Sequence, residues 1–176
     1  MNRQTSSIVE SDLAFLELHK EDLDAVRTMS ILATAIVREH FDPIIGKAQN
    51  TYMIEKFQTE VSIISQLEHG SRYFFIQAES KMVGFIAFYP KNDAMYISKF
   101  YLCKEARGKG YAHQMLNFVI TESGKLGLQK IELNVNKHNP ACRSYEHLGF
   151  DQIRAEKIDI GGGFYMDDYV YSLTII

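Results

Sequence analysis

Apolar residues recur along this chain with two different periods, and the change from one to the other organises it. Leu13 to Leu18 is a short apolar run that predicts a first strand, ending before the polar Lys20-Glu21-Asp22. From there to about His40, Leu23, Val26, Ser30, Ala33 and Val37 keep a helical period. Phe41-Asp42-Pro43 predicts the end of that helix, because the residue before a proline is pushed out of helical geometry. Gly46 to Phe57 and Thr59 to Glu68 read as two further helices, with Gly70 as a stop.

The period then becomes strand-like. Arg72 to Ala78, Met82 to Tyr89 and Ala94 to Cys103 are rich in aromatic and β-branched residues. Glu79-Ser80-Lys81 and Pro90-Lys91-Asn92-Asp93 separate them, which predicts an antiparallel meander. A helical stripe of Ala112, Met115, Leu116, Val119 and Ile120 follows, with Gln114, Asn117, Thr121 and Glu122 expected to face water. After Gly124 to Gly127 come a strand over Lys130 to Asn136 and a short helix over Pro140 to Leu148. Phe150 to Ile160 and Phe164 to Ile176 close the chain as a strand pair. This order predicts an α+β architecture with helices on both faces of a sheet.

Composition narrows the function. At 176 residues, 46% of them apolar, the chain is expected to form a single domain over residues 1–176. A net charge of −3 and the lack of a long Lys/Arg cluster argue against nucleic acid or an acidic membrane as partner. Cys103 and Cys142 are the only cysteines and stand in no metal-ligand spacing, so no metal site is expected, and a reducing cytoplasm is. No apolar run reaches membrane-spanning length, and the polar start from Met1 to Ser7 lacks the hydrophobic segment of a secretory signal.

The chemistry concentrates where the third strand of the meander meets the next helix. Tyr96 to Cys103 leads into Arg107-Gly108-Lys109-Gly110-Tyr111-Ala112, at which the helix opens. Two glycines and two cations there make a cradle for a phosphorylated ligand, because first-turn N–H groups lack intrahelical acceptors and the helix dipole favours an anion. A Walker A loop is excluded: Lys109 is followed by Gly110, and Cys103 occupies the early glycine position. A dinucleotide fingerprint is excluded as well, since His113 stands where its third glycine belongs.

What remains resembles the acetyl-CoA pyrophosphate loop of the GCN5-related N-acetyltransferase (GNAT) superfamily, whose Arg/Gln-x-x-Gly-x-Gly/Ala pattern is met by Arg107, Gly110 and Ala112. The family's other signature is Asn, then Ala, then Tyr-x-x-x-Gly-Phe, and Asn139, Ala141, Tyr145, Gly149 and Phe150 resemble it at the expected distance downstream. Asn139 precedes Tyr145 by six residues where many members have seven, so Asn136 is a second candidate for that role. The resemblance implies the GNAT fold: a mixed, mostly antiparallel central sheet with helices on both faces and splayed central strands forming the acetyl-CoA cleft. It implies that the backbone of Phe100, Tyr101 and Leu102 pairs with the pantetheine arm, a form of strand addition. Arg107, Gly108, Lys109, Gly110, Tyr111 and Ala112 would surround the pyrophosphate, and Asn139 would also contact the cofactor. Lys104 and Lys109 would add point charges, with Arg107 the more structural cation.

By the same resemblance the chain is an N-acetyltransferase that transfers acetyl directly from acetyl-CoA to a primary amine. Tyr145 would be the proton donor, since a phenol with a pKa near ~10 holds its proton at neutral pH. The oxyanion donor would be a backbone N–H, that of Leu102. For the base, Glu39, His40, Asp42 and Glu132 are the candidates. Cys142, with His138 and His147 nearby in sequence, is a covalent alternative that direct transfer does not need. The regions from His40 to Phe57 and from Ile160 to Phe164 would choose the acceptor; the triple glycine in the latter is either a mobile rim or a hairpin turn. Pro43-Ile44-Ile45-Gly46 through Tyr52 to Phe57, with Met166-Asp167-Asp168-Tyr169, looks similar to bacterial GNAT proteins near the polyamine acetyltransferases, and Asp42, Glu55, Asp167 and Asp168 could attract a polycation; this resemblance implies a small-molecule amine such as a polyamine. A protein or peptide acetyltransferase and a non-catalytic acetyl-CoA-binding module are the alternatives, and a homodimer is a common assembly among such proteins.

Overall fold

A computed structural model describes residues 12–175; the expectation about the start from Met1 to Ser7 lies outside them. Among the described residues the strands are β1 (Ala14–Glu17), β2 (Arg72–Ala78), β3 (Lys81–Lys91), β4 (Ala94–Leu102), β5 (Lys130–Asn136), β6 (Asp151–Gly161) and β7 (Phe164–Thr174). They form one sheet in the order β1-β2-β3-β4-β5-β7-β6, antiparallel except for the β4–β5 pair. The helices are α1 (Leu23–Ile45), α2 (Lys47–Phe57), α3 (Glu60–Glu68), α4 (Tyr111–Lys125) and α5 (Ala141–His147).

Strand alternation splits the interior into two cores. On β2 and β3, Tyr73, Phe75, Phe85 and Ala87 meet Val26, Met29 and Ala33 of α1 and Ile63 of α3. Their neighbours Phe74, Ile76, Ile86 and Phe88 turn to the other face and meet Met115, Leu116 and Val119 of α4. The helices therefore cover both faces, as the pattern predicted.

The site is prepared where β4 and β5 part. α4 is the crossover between them, which makes the pair parallel. Their pairing is confined to Met95, Tyr96 and Ile97 against Ile131, Glu132 and Leu133, although both strands run further. Ala87 pairs with Lys99 and Phe88 with Ile97, so Ser98 is an extra residue on β4, and such a bulge bends its strand. β5 meanwhile stays with β7 as far as Asn136 opposite Asp168. A wedge opens between the two strands.

The structure departs from the sequence expectation at the ends of β3, which runs from Lys81 to Lys91, at the end of α1 and at Glu122. α1 continues through Pro43 to Ile45 and ends at Gly46, whose φ is 84°. Pro43 stands in the last turn, where its missing N–H forfeits a single bond, and the buried Val26, Met29, Ala33, Ile36 and Val37 hold the rest of the helix in place. Glu122 does not face water: it is 7% exposed and paired with Arg72 and Lys125. Arg72 in turn holds Glu17 of β1 and lies over the Phe74 ring.

Gly84 on β3 is required by the approach of β4. A Cβ there would lie 2.2 Å from the Tyr101 carbonyl oxygen and 3.1 Å from the Leu102 Cα, both backbone atoms. Gly84→Ala is therefore expected to cost about 3 kcal/mol or more in urea unfolding, the upper end of overpacking effects. An unchanged midpoint would contradict this packing of β4.

Candidate active site

Cys103 donates its N–H to Val83 across the β3–β4 ladder. By the two-residue alternation of an antiparallel pair, Tyr101 and Lys99 also turn their backbone groups toward β3, while Phe100 and Leu102 turn theirs toward the wedge. The Leu102 carbonyl accepts from Arg107 Nε at 3.1 Å. Arg107 also grips Glu39 of α1, Nη2 to Oε2 at 2.8 Å, and this guanidinium is the leading cause that holds the Glu39 carboxyl below the usual carboxylate range. Arg107 thus ties the end of β4, its following turn and α1 together.

Gly108 and Gly110 take φ of 74° and 79°, a backbone that side chains rarely adopt. Gly110 immediately precedes α4, and no side chain caps that helix. The N–H groups of Tyr111, Ala112 and His113 therefore lack intrahelical acceptors and lie where the dipole is positive. Lys109, exposed between the two glycines, adds positive charge. This backbone and charge fit a pyrophosphate.

Across the wedge stands α5. The Asn139 carboxamide oxygen accepts from the Ala141 N–H at 2.9 Å and meets His40 Nε2 at 3.0 Å, so the buried Asn139 starts α5 and ties it to α1. Asn136 accepts the His138 N–H with its own side chain. One turn into α5, the ring of the half-buried Tyr145 sits among Phe100, Phe150 and Tyr171, with centroids 5.9, 5.9 and 6.4 Å away. Burial first, then the nearby Tyr101 and Cys142, push its phenol above the ordinary tyrosine value, so it keeps its proton at neutral pH.

On the opposite side of the sheet, a cavity of about 350 Å³ lies between α1–α2 and strands β4, β5 and β7. Phe41, Met53, Phe57, Tyr96 and Tyr101 give it largely aromatic and apolar walls. Asp168 lines it and is 4% exposed. Asn134 Nδ2 approaches Asp168 Oδ2 at 3.4 Å and Glu156 at 3.2 Å, while Tyr96 donates to Asn134 Oδ1. Burial is the main cause, with Asp167 and Glu156 adding, that pushes the Asp168 carboxyl up to about 6. Tyr101 of β4 lines the same cavity as Asp168, and burial, with the Asp168 charge adding, pushes its phenol above the ordinary tyrosine value.

The other candidates are engaged elsewhere. Glu39 holds Arg107, His40 meets Asn139, and Asp42 accepts from Asn50 at 2.7 Å. Glu132 lies 3.9 Å from Arg154. Burial pushes the Cys142 thiol up, which leaves it neutral and unactivated. Of the four carboxylates expected to attract a polycation, Asp168 lines the cavity while Asp167 pairs with Lys137 at 2.8 Å. The triple glycine is a hairpin turn, all three residues at positive φ. A Cβ on Gly161 would meet Tyr52 Oη at 2.6 Å, and Tyr52 donates to the Ile160 carbonyl, so the turn is clamped against α2. Among the described residues no three potential ligands gather for a metal, and no helix is long and apolar enough to cross a membrane.

Solved structures share the fold. The PaiA N-acetyltransferase of Thermoplasma acidophilum, solved with coenzyme A, superposes with a TM-score of 0.72 at 17% identity, covering 93% of this chain and 99% of that one. The spermidine N-acetyltransferase of Vibrio cholerae, solved with CoA and spermine, gives 0.65 at 19% identity, covering 93% and 95%. At such identities the likeness establishes the fold. An uncharacterized N-acetyltransferase, YycN of Bacillus subtilis (strain 168), is 37% identical over 65 residues; the match spans 36% of this chain and 41% of that relative. The model of the acetyltransferase (GNAT) family matches residues 35–150, a span that runs from α1 through the glycine loop and the helix of Tyr145 to Phe150. With the wedge, the loop and α5 all inside a match that covers more than half of the sequence, the chain belongs to the acetyltransferase (GNAT) family.

Proposed function

We propose that this protein is a cytoplasmic, acetyl-CoA-dependent N-acetyltransferase, one domain over residues 1–176, that transfers acetyl directly to a primary amine of a small molecule. The observation that carries the reading is the wedge between β4 and β5, with an anion cradle at its end, a proton-holding phenol on one side and a buried carboxylate on the other. Acetyl-CoA supplies the acetyl group as a thioester. The backbone of Phe100 and Leu102 binds its arm, with the Tyr101 side chain beside it, and Gly108 to Ala112 hold its pyrophosphate while Arg107 and Asn139 fix the loop and α5. The Leu102 N–H stabilises the developing oxyanion. Asp168 takes a proton from the acceptor amine, and Tyr145 gives its proton to the departing sulfur.

The likeness to the Vibrio cholerae spermidine N-acetyltransferase brings polyamines within the proposed class. Thiol release from acetyl-CoA, followed across polyamines, amino acids, aminoglycosides and peptides, tests the activity; thermal shift tests the donor. Acetyl-CoA at one hundred times its dissociation constant is expected to stabilise the fold by about 2.7 kcal/mol. No shift would remove the donor from the account. A shift with turnover of peptides alone, or of nothing, would replace a small-molecule enzyme by a peptide acetyltransferase or a binding module.

A further inference from the structure

Lys99 lines the same cavity, and the transfer proposed above gives it no role. Its side chain extends to the end of α2, with Nζ 5.7 Å from the centre of the Phe57 ring. Among the described residues no carboxylate lies within ion-pair distance of it. Burial is the cause that pushes its ammonium down to about 8, and a group titrating there is still mostly charged at pH 7. A cation partly withdrawn from water without a counter-ion is costly, so the cavity holds a positive charge that a ligand's anion would complement.

Asp168 supplies the opposite charge at a distance. Lys99 is on β4 and Asp168 on β7, with β5 between them and β4 already parted from β5 at Lys99, so the backbones stand further apart than two regular inter-strand spacings of ~4.8 Å, that is beyond about 10 Å. Tyr96, Tyr101, Met53 and Phe57 stand along the cavity that joins them, and none of these carries charge at neutral pH. A diamine long enough to span the cavity would set its second ammonium against Lys99. An α-amino acid is too short to reach both ends.

We propose that the acceptor is a linear ω-amino carboxylate, its amine beside Asp168 at the wedge and its carboxylate on Lys99. This acceptor class rests on the N-acetyltransferase reading. The step is balanced: the amine nitrogen forms a bond to the acetyl carbon, the carbon–sulfur bond breaks, and one proton leaves the nitrogen as one is given to the coenzyme A sulfur.

The test compares kcat/KM for aminohexanoate and aminooctanoate with that for diaminohexane, diaminooctane and spermidine, in the wild type, Lys99→Met and Lys99→Glu. The wild type is expected to prefer the amino carboxylates about tenfold or more, the size of one charge-assisted hydrogen bond. Lys99→Met is expected to erase the preference by raising KM for the amino carboxylates and lowering it for the diamines; Lys99→Glu is expected to reverse it. A half-buried cation without a counter-ion is being removed, so Lys99→Met is expected to melt no lower than the wild type and to keep the acetyl-CoA thermal shift. A wild type that prefers diamines or spermidine, or a ratio unchanged by Lys99→Met, overturns this acceptor class and leaves the acetyltransferase standing. Acetyl-CoA binding with no turnover of any amine overturns both.

Discussion

Tyr145→Phe is expected to lower kcat by about 10²- to 10⁴-fold, the range for loss of a general acid, while acetyl-CoA affinity stays within about twofold. The substitution removes the phenol hydroxyl and leaves the ring that Phe100, Phe150 and Tyr171 surround. Burial holds that hydroxyl protonated at neutral pH, which under the proposed mechanism makes it the proton donor to the departing thiolate. Single-turnover kinetics with an acceptor, set beside calorimetric titration of acetyl-CoA, separates the two effects. Equal losses in rate and in affinity would give Tyr145 a packing role instead.

Asp168→Asn is expected to have the second-largest effect, a fall in kcat/KM of about 10²-fold. In the wild type, kcat/KM is expected to rise with pH through about 6 as Asp168 ionises, and the variant should lack that limb. Stability should move the other way. The folded carboxyl titrates above the usual carboxylate range, so its contribution to folding is present at low pH and is lost as pH rises through about 6. Allowing for hydration from the cavity, the ionised Asp168 costs the fold about 1–2 kcal/mol at pH 8. The asparagine variant should therefore be more stable than the wild type at pH 8, by a margin that shrinks at pH 5. A variant that is less stable at both values and keeps its activity would contradict this role.

The loop and the α5 signature were legible in the sequence because each is a local device. Gly108 and Gly110 supply the positive φ that the turn needs, and Tyr145 stands at a fixed helical distance from the residue that starts its helix. The acceptor side was much less so. Asp167 and Asp168 are the same residue type side by side; strand alternation sends one to Lys137 and the other into the cavity. The available signal was period two along β7, since Met166, Asp168 and Val170 share a face and Val170 is fully buried. Lys99 was hidden for a different reason: the extra residue Ser98 shifts the register of β4, and a bulge is made by strand pairing that no local pattern reports. At Pro43 and Glu122 the local rule was outweighed by contacts far along the chain, namely the buried stripe of α1 and the guanidinium of Arg72.

The most direct measurement is a crystal structure of the protein with coenzyme A. The account predicts its pyrophosphate on the N–H groups that follow Gly110, its arm paired with Phe100 and Leu102 inside the β4–β5 wedge, and its sulfur between Tyr145 and the cavity of Asp168. Coenzyme A bound elsewhere, with β4 and β5 unoccupied between Lys99 and Asn136, would contradict it.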